Sequence, residues 1–119
     1  MLARADSLHR QLFSPASGHP GPASWEPPVD VLETRDEVLI IAALPGVAEG
    51  AVHLTIDGSG LLIVGEKAAP AELDRAVIHR LELPQGRFER RVPLPAGRYS
   101  EIRRRIVNGC LVVSLRKAV

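Results

Sequence analysis

Residues 102–117 read IRRRIV-NG-CLVVSLRK, from Ile102 through Asn108-Gly109 to Lys117. Two runs rich in β-branched residues flank a dipeptide that accepts positive φ at both central positions of a tight turn. The stretch therefore predicts a β-hairpin, with strands over 101–107 and 110–115. The same texture continues upstream. RFERRVPL alternates, with Phe88, Val92 and Leu94 as its apolar positions. LLIVGEK (61–67) follows the turn Gly58-Ser59-Gly60, and AVHLTID (51–57) precedes it. In AVHLTID, Val52, Leu54 and Ile56 take one face and His53, Thr55 and Asp57 the other. EVLIIAAL is dense enough to predict a strand buried on both faces. VDVLET alternates at the start of this region, and AVIHRLEL (76–83) supplies a further short apolar run. Seven or eight short strands with regular turns predict an all-β fold, an immunoglobulin-like antiparallel β-sandwich. Pro93 removes a backbone donor from RFERRVPL, so it belongs at a strand end, a bulge or an outward-facing edge.

The first quarter of the chain differs. Leu8, Leu12 and Phe13 give residues 2–13 a short amphipathic helix pattern. Residues 14–28 then hold five prolines and two glycines, which no regular element can traverse. The expected organisation is a flexible or partly helical arm over 1–25 and one sandwich domain over 26–119. The whole chain has 119 residues, enough for one domain with a core. Hydrophobic residues are 45% and aromatics 3%, so that core is aliphatic.

Composition excludes several functions. Fifteen basic and fourteen acidic residues give a net charge of +1, which provides no global attraction to nucleic acid or to an acidic membrane. No apolar run is long enough to span a bilayer, and Asp6, His9, Arg10 and Gln11 interrupt any secretory signal, so cytoplasm is the expected compartment. One cysteine, Cys110, allows no intrachain disulfide. His9, His19, His53 and His79 have no metal-ligand spacing. No nucleophile motif, phosphate loop or paired-carboxylate pattern is present, and no cofactor or catalytic residue is implied. Arginines crowd the C-terminal third, among them Arg87, Arg90, Arg91, Arg98 and Arg103 to Arg105. Three consecutive arginines on a strand point to both faces, and the few aromatics are dispersed. Solvated charge and ion pairs explain them better than a nucleic-acid groove.

Five motifs in fixed order give this region a family likeness. They are Pro28-Val29-Asp30-Val31 with Glu33-Thr34; Leu44-Pro45-Gly46; Leu61–Lys67; Gly86-Arg87-Phe88-Glu89-Arg90 running to Leu94-Pro95; and Asn108-Gly109-Cys110-Leu111. Residues 26–117 resemble the alpha-crystallin domain of small heat-shock proteins. The resemblance implies an ATP-independent holdase whose partners are partly unfolded proteins and other copies of itself. It implies no cofactor, no nucleic acid and no membrane. Between Lys67 and Gly86 lie 18 residues, the length of the bacterial and plant members, whose loop adds a strand to a neighbouring subunit. That implies a swapped homodimer, with Val77, His79, Leu81 and Glu82 meeting Val29 and Val31. Arg90 falls at the family's structurally important arginine and is expected to pair with an acid across the dimer, such as Glu82.

Client-binding candidates follow from the same resemblance. The arm offers Leu8, Leu12, Phe13 and Trp25. The groove between strands 51–57 and 102–107 offers Val52, Leu54, Ile56, Ile102 and Ile106. Alternation alone leaves these five as either a groove or ordinary sandwich core. Two departures stand out. Arg104 occupies a position that is usually a small alanine, and the chain stops two residues after Lys117, without the family's Ile-x-Ile/Val extension. The expected assembly is therefore a dimer or small oligomer. The alternative function is a co-chaperone or scaffold module of sandwich type that docks on one specific partner.

Overall fold

A computed structural model of the chain describes residues 23–118. Seven strands form two antiparallel sheets. They are β1 (Val29–Glu33), β2 (Glu37–Ala43), β3 (Val52–Asp57), β4 (Gly60–Lys67), β5 (Gly86–Pro93), β6 (Tyr99–Val107) and β7 (Cys110–Lys117). The four-stranded sheet runs β1-β2-β7-β6 and the three-stranded sheet β3-β4-β5. Short 3-10 turns at Glu49–Ala51 and Ala71–Asp74 are the only helical pieces among the described residues.

The turn chemistry acts as expected. Asn108 and Gly109 have φ of 50° and 78°, the pair of positive values that joins two strands by two residues without splaying them. At Leu44-Pro45-Gly46, proline sets the first turn position and Gly46 takes φ of 78° at the second. The Val47 N–H donates to the Leu44 carbonyl across 3.2 Å, closing that turn. These two motifs, 62 residues apart at their nearest members, meet in space. The Leu44 N–H donates to the Gly109 carbonyl at 2.9 Å, which fixes the β2 exit against the β6–β7 hairpin.

The core lies between the sheets. From one side come Val38, Ile40 and Ala42 of β2 and Leu111, Val113 and Leu115 of β7; from the other, Val52, Leu61, Ile63, Phe88 and Val92. Among the described residues Phe88 is its one buried aromatic, and it faces Gly65 across the β4–β5 pair. A Cβ on Gly65 would fall 2.5 Å from Phe88 Cζ and inside contact distance of the Ala51 carbonyl oxygen. Glycine is thus the residue that leaves room for the ring beside the strand.

Three expectations change. β2 is not buried on both faces. Val38, Ile40 and Ala42 are buried, whereas Glu37, Leu39, Ile41 and Ala43 are half-buried, because only one face of this sheet meets the other sheet. Residues 76–83 form no strand, since a strand needs a neighbour and no sheet edge among the described residues pairs with this run. Trp25, assigned to the arm, packs on the domain instead. Its ring lies 5.0 Å from that of Phe88, its Nε1 donates to the Gly86 carbonyl at 3.2 Å, and its carbonyl accepts from the Glu89 N–H at 3.2 Å. Pro93 sits where its missing donor costs nothing, at the end of β5 on a sheet edge.

Gly65→Ala is expected to lower stability by about 1–3 kcal/mol, because the methyl must displace buried backbone or the Phe88 ring. Thermal unfolding followed by circular dichroism should show a melting temperature lower by roughly 5–20 °C. An unchanged midpoint would mean that Phe88 does not need the bare backbone.

Candidate functional site

The two sheets do not stay closed along their length. On β3 the inward positions are Val52, buried, Leu54, half-buried, and Ile56, 43% exposed. On β6 the residues opposite Leu111, Val113 and Leu115, and so on the core face, are Ile106, Arg104 and Ile102. Ile106 and Arg104 are half-buried, and Ile102 is 45% exposed. Both edges are therefore covered at the Val52 and Ile106 end and open at the Ile56 and Ile102 end.

At the open end lies a cleft of about 640 Å³, lined by Ile56, Leu94, Pro95, Arg98, Tyr99 and Ile102 among others. Its walls are held by backbone-directed bonds. The Leu94 N–H donates to the Ser59 carbonyl at 2.8 Å, and the Tyr99 hydroxyl donates to the Pro95 carbonyl at 2.6 Å. Arg91 clamps the β3–β4 turn by donating to the Asp57 carbonyl at 3.3 Å, with its Nε 3.8 Å from the Asp57 carboxylate. These bonds hold the rim in place while leaving apolar side chains at its mouth.

The consecutive arginines divide as strand geometry requires. Arg103 and Arg105 oppose Ser114 and Val112, on the outer face, and Arg103 Nε lies 2.9 Å from the Glu101 carboxylate. Arg104 turns inward, and its Nη2 donates to the Glu49 carbonyl at 2.8 Å. This bond joins the β6 edge to the 3-10 turn before β3 and crosses between the sheets near their closed end.

The groove candidates thus separate: Val52 is core, Leu54 and Ile106 border it, and Ile56 and Ile102 open onto the cleft. Leu8, Leu12 and Phe13 lie outside the described residues. Trp25 is bound to β5 as described above. Of the interface candidates, Val29 is half-buried and Val31 is 40% exposed on the β1 edge, while Val77 is 83% exposed. His79 is exposed and Leu81 half-buried. Glu82 lies 3.9 Å from Arg80 within the chain, both largely exposed, and Arg90 has no ion pair among the described residues. Sequence reasoning did not anticipate Leu94, Pro95 and Tyr99 as cleft walls. They lie in the turn-rich LPAGRY segment, where alternation carries no information about facing.

Among the described residues no group of three His, Cys, Asp or Glu side chains could hold a metal, and no helix is long and apolar enough to cross a membrane.

Because Ile56 and Ile102 are partly solvated, each change to alanine is expected to cost under about 1 kcal/mol, against about 2–5 kcal/mol for fully buried Ile63. Urea unfolding of the three variants measures this directly. Equal losses at all three positions would mean that the cleft is closed core.

The chain matches the model of the Hsp20/alpha crystallin family over residues 30–119. It is 30% identical over 115 residues to the 16.9 kDa class I heat shock protein 1 of Oryza sativa subsp. japonica, covering 95% of this chain and 77% of that one. Heat shock protein 16.0 from Schizosaccharomyces pombe superposes with a TM-score of 0.71 at 29% identity, over 78% of this chain and 87% of that one. A small heat-shock protein from Xylella fastidiosa superposes with a TM-score of 0.69 at 27% identity, over 80% and 88% of the respective chains. A sandwich with this strand order, these turns and this extent of likeness belongs to the Hsp20/alpha crystallin family of small heat-shock proteins.

Proposed function

We propose that this protein is an ATP-independent holdase, which binds partly unfolded chains and keeps them from aggregating. A chaperone role is supported at the level of the family. The observation that carries the reading is the open cleft, where Ile56 and Ile102 are exposed beside the edges of β3 and β6. Such edges offer unpaired backbone groups to an extended chain, and the apolar mouth offers pockets for its side chains. Unfolded proteins present both features regardless of sequence.

Magnitudes set how such a site can work. Covering two half-exposed isoleucines is worth only about 1 kcal/mol each. One cleft alone therefore binds weakly and reversibly, and useful retention needs several sites on one assembly. Leu8, Leu12 and Phe13 would add anchors. Self-association would multiply them, and the surface supports it. Val31 and Leu32 are exposed on the β1 edge, and Val77, Ile78 and Leu83 are exposed along the unpaired 76–83 run. In a swapped homodimer this run becomes a strand by pairing with the β1 edge of a second copy, which brings Val77, His79, Leu81 and Glu82 against Val29 and Val31 and Arg90 toward a partner carboxylate. The Xylella relative is described as having a distinct high order structure. A reducing, cytoplasmic setting suits the single half-buried thiol, Cys110.

The test is aggregation of a heat-labile client at varied ratios without nucleotide, with native mass measured alongside. The expected result is suppression near stoichiometric ratio by a species of at least twice the chain mass. The Ile56→Ser, Ile102→Ser double variant should stay folded yet protect several-fold less. Full protection by that variant would remove the cleft from the mechanism. Capture of one stoichiometric partner with no suppression would favour a co-chaperone or scaffold module instead.

A further inference from the structure

We infer that Arg104 makes the cleft selective for extended segments in which a large aliphatic residue is followed or preceded, two positions away, by a carboxylate. This rests on the reading of the cleft as a docking site for extended chain. Ile102 and Arg104 are successive inward positions on β6, opposite Leu115 and Val113. Same-face positions on a strand repeat about every 6.6–6.8 Å. A peptide laid along the β6 edge has its own same-face side chains at that spacing. With one aliphatic side chain in the mouth between Ile56 and Ile102, its next same-face residue falls beside Arg104.

The guanidinium there is only partly committed. It is half-buried, donates to the Glu49 carbonyl at 2.8 Å, and has no ion pair among the described residues. A guanidinium has five N–H donors, so donors remain for a carboxylate, which accepts them as charge-assisted bonds. A second aliphatic residue would instead cover the cation and strip its water with nothing in return. Arg98 lines the mouth itself, which adds a second cation near the anchor position. The acid on this rim, Glu101, is already held by Arg103 at 2.9 Å. Charge complementarity thus favours acids beside the anchor.

Three fluorescent peptides with identical glycine-serine flanks test this: Glu-Ser-Leu-Ser-Glu, Leu-Ser-Leu-Ser-Leu and Lys-Ser-Leu-Ser-Lys. Their binding to the full chain is read by fluorescence polarisation. The acidic peptide should bind about fivefold more tightly than the leucine peptide, the scale of a partly exposed ion pair. The lysine peptide should be weakest, and the acidic advantage should shrink in high salt. In Arg104→Ala, and in Arg104→Met, which keeps the apolar stem, the acidic advantage should shrink to the part that Arg98 supplies, and the leucine peptide should gain. Circular dichroism shows that each variant is folded, and two variants guard against loss of either one. Tighter binding of the leucine peptide by the wild type would overturn the inference, as would an acidic preference unchanged in both variants. In those cases the cleft still docks peptide. Binding of none of the three would instead overturn the docking reading, and the inference with it.

Discussion

The ring of Phe88 lying across the bare backbone of Gly65 is the contact on which the rest of the sandwich depends. Among the described residues Phe88 is the one buried aromatic in an otherwise aliphatic core, and its position requires that β4 present no side chain at that point. The contact has Trp25 packed on the ring's side and the Ala51 carbonyl close to the glycine's side. It therefore ties the start of the described chain and the entry to β3 to the β4–β5 pair. A second fixed point lies in the other sheet, where the Leu44 N–H reaches the Gly109 carbonyl. With this much of the sandwich locked, the free edges of β3 and β6 can separate at their far ends without loss of the fold.

That separation accounts for the surface chemistry. A well-covered sandwich would place Ile56 and Ile102 in its interior, as alternation on β3 and β6 implies. Here the inward-facing pattern persists while the cover runs out. Apolar side chains are left at a mouth whose rim is held by the Tyr99 and Arg91 bonds to backbone carbonyls. The isoleucines are exposed by the arrangement of the walls rather than by disorder of the strands. Arg104 occupies the intermediate position, half-buried on the core face opposite Val113.

Patterns that are local in the chain were legible in the sequence. Asn108-Gly109 marks its hairpin because positive φ at two successive residues has few solutions. Leu44-Pro45-Gly46 marks its turn for a similar reason, and Pro93 announces a strand end at an edge. Patterns that depend on what lies opposite were not. EVLIIAAL reads as doubly buried, yet among the described residues the outer face of β2 is only half-buried. AVIHRLEL reads as a strand, yet it has no strand neighbour among the described residues. Trp25 follows a proline-rich stretch and reads as arm, yet its indole finds Phe88 and the Gly86 carbonyl, 63 and 61 residues away. The groove candidates lie on the inward faces of β3 and β6, but alternation could not divide the buried Val52 from the exposed Ile56. The Arg104 bond to Glu49 spans 55 residues and no periodicity reports it.

The account centres on an open cleft as the place where an unfolded chain is held. Hydrogen–deuterium exchange of the protein with and without a heat-destabilised client tests this most directly. The account predicts new protection at the free edges of β3 and β6, around residues 54–57 and 99–104, with the paired β2 and β7 amides unchanged. Client bound with no added protection at either edge would contradict it.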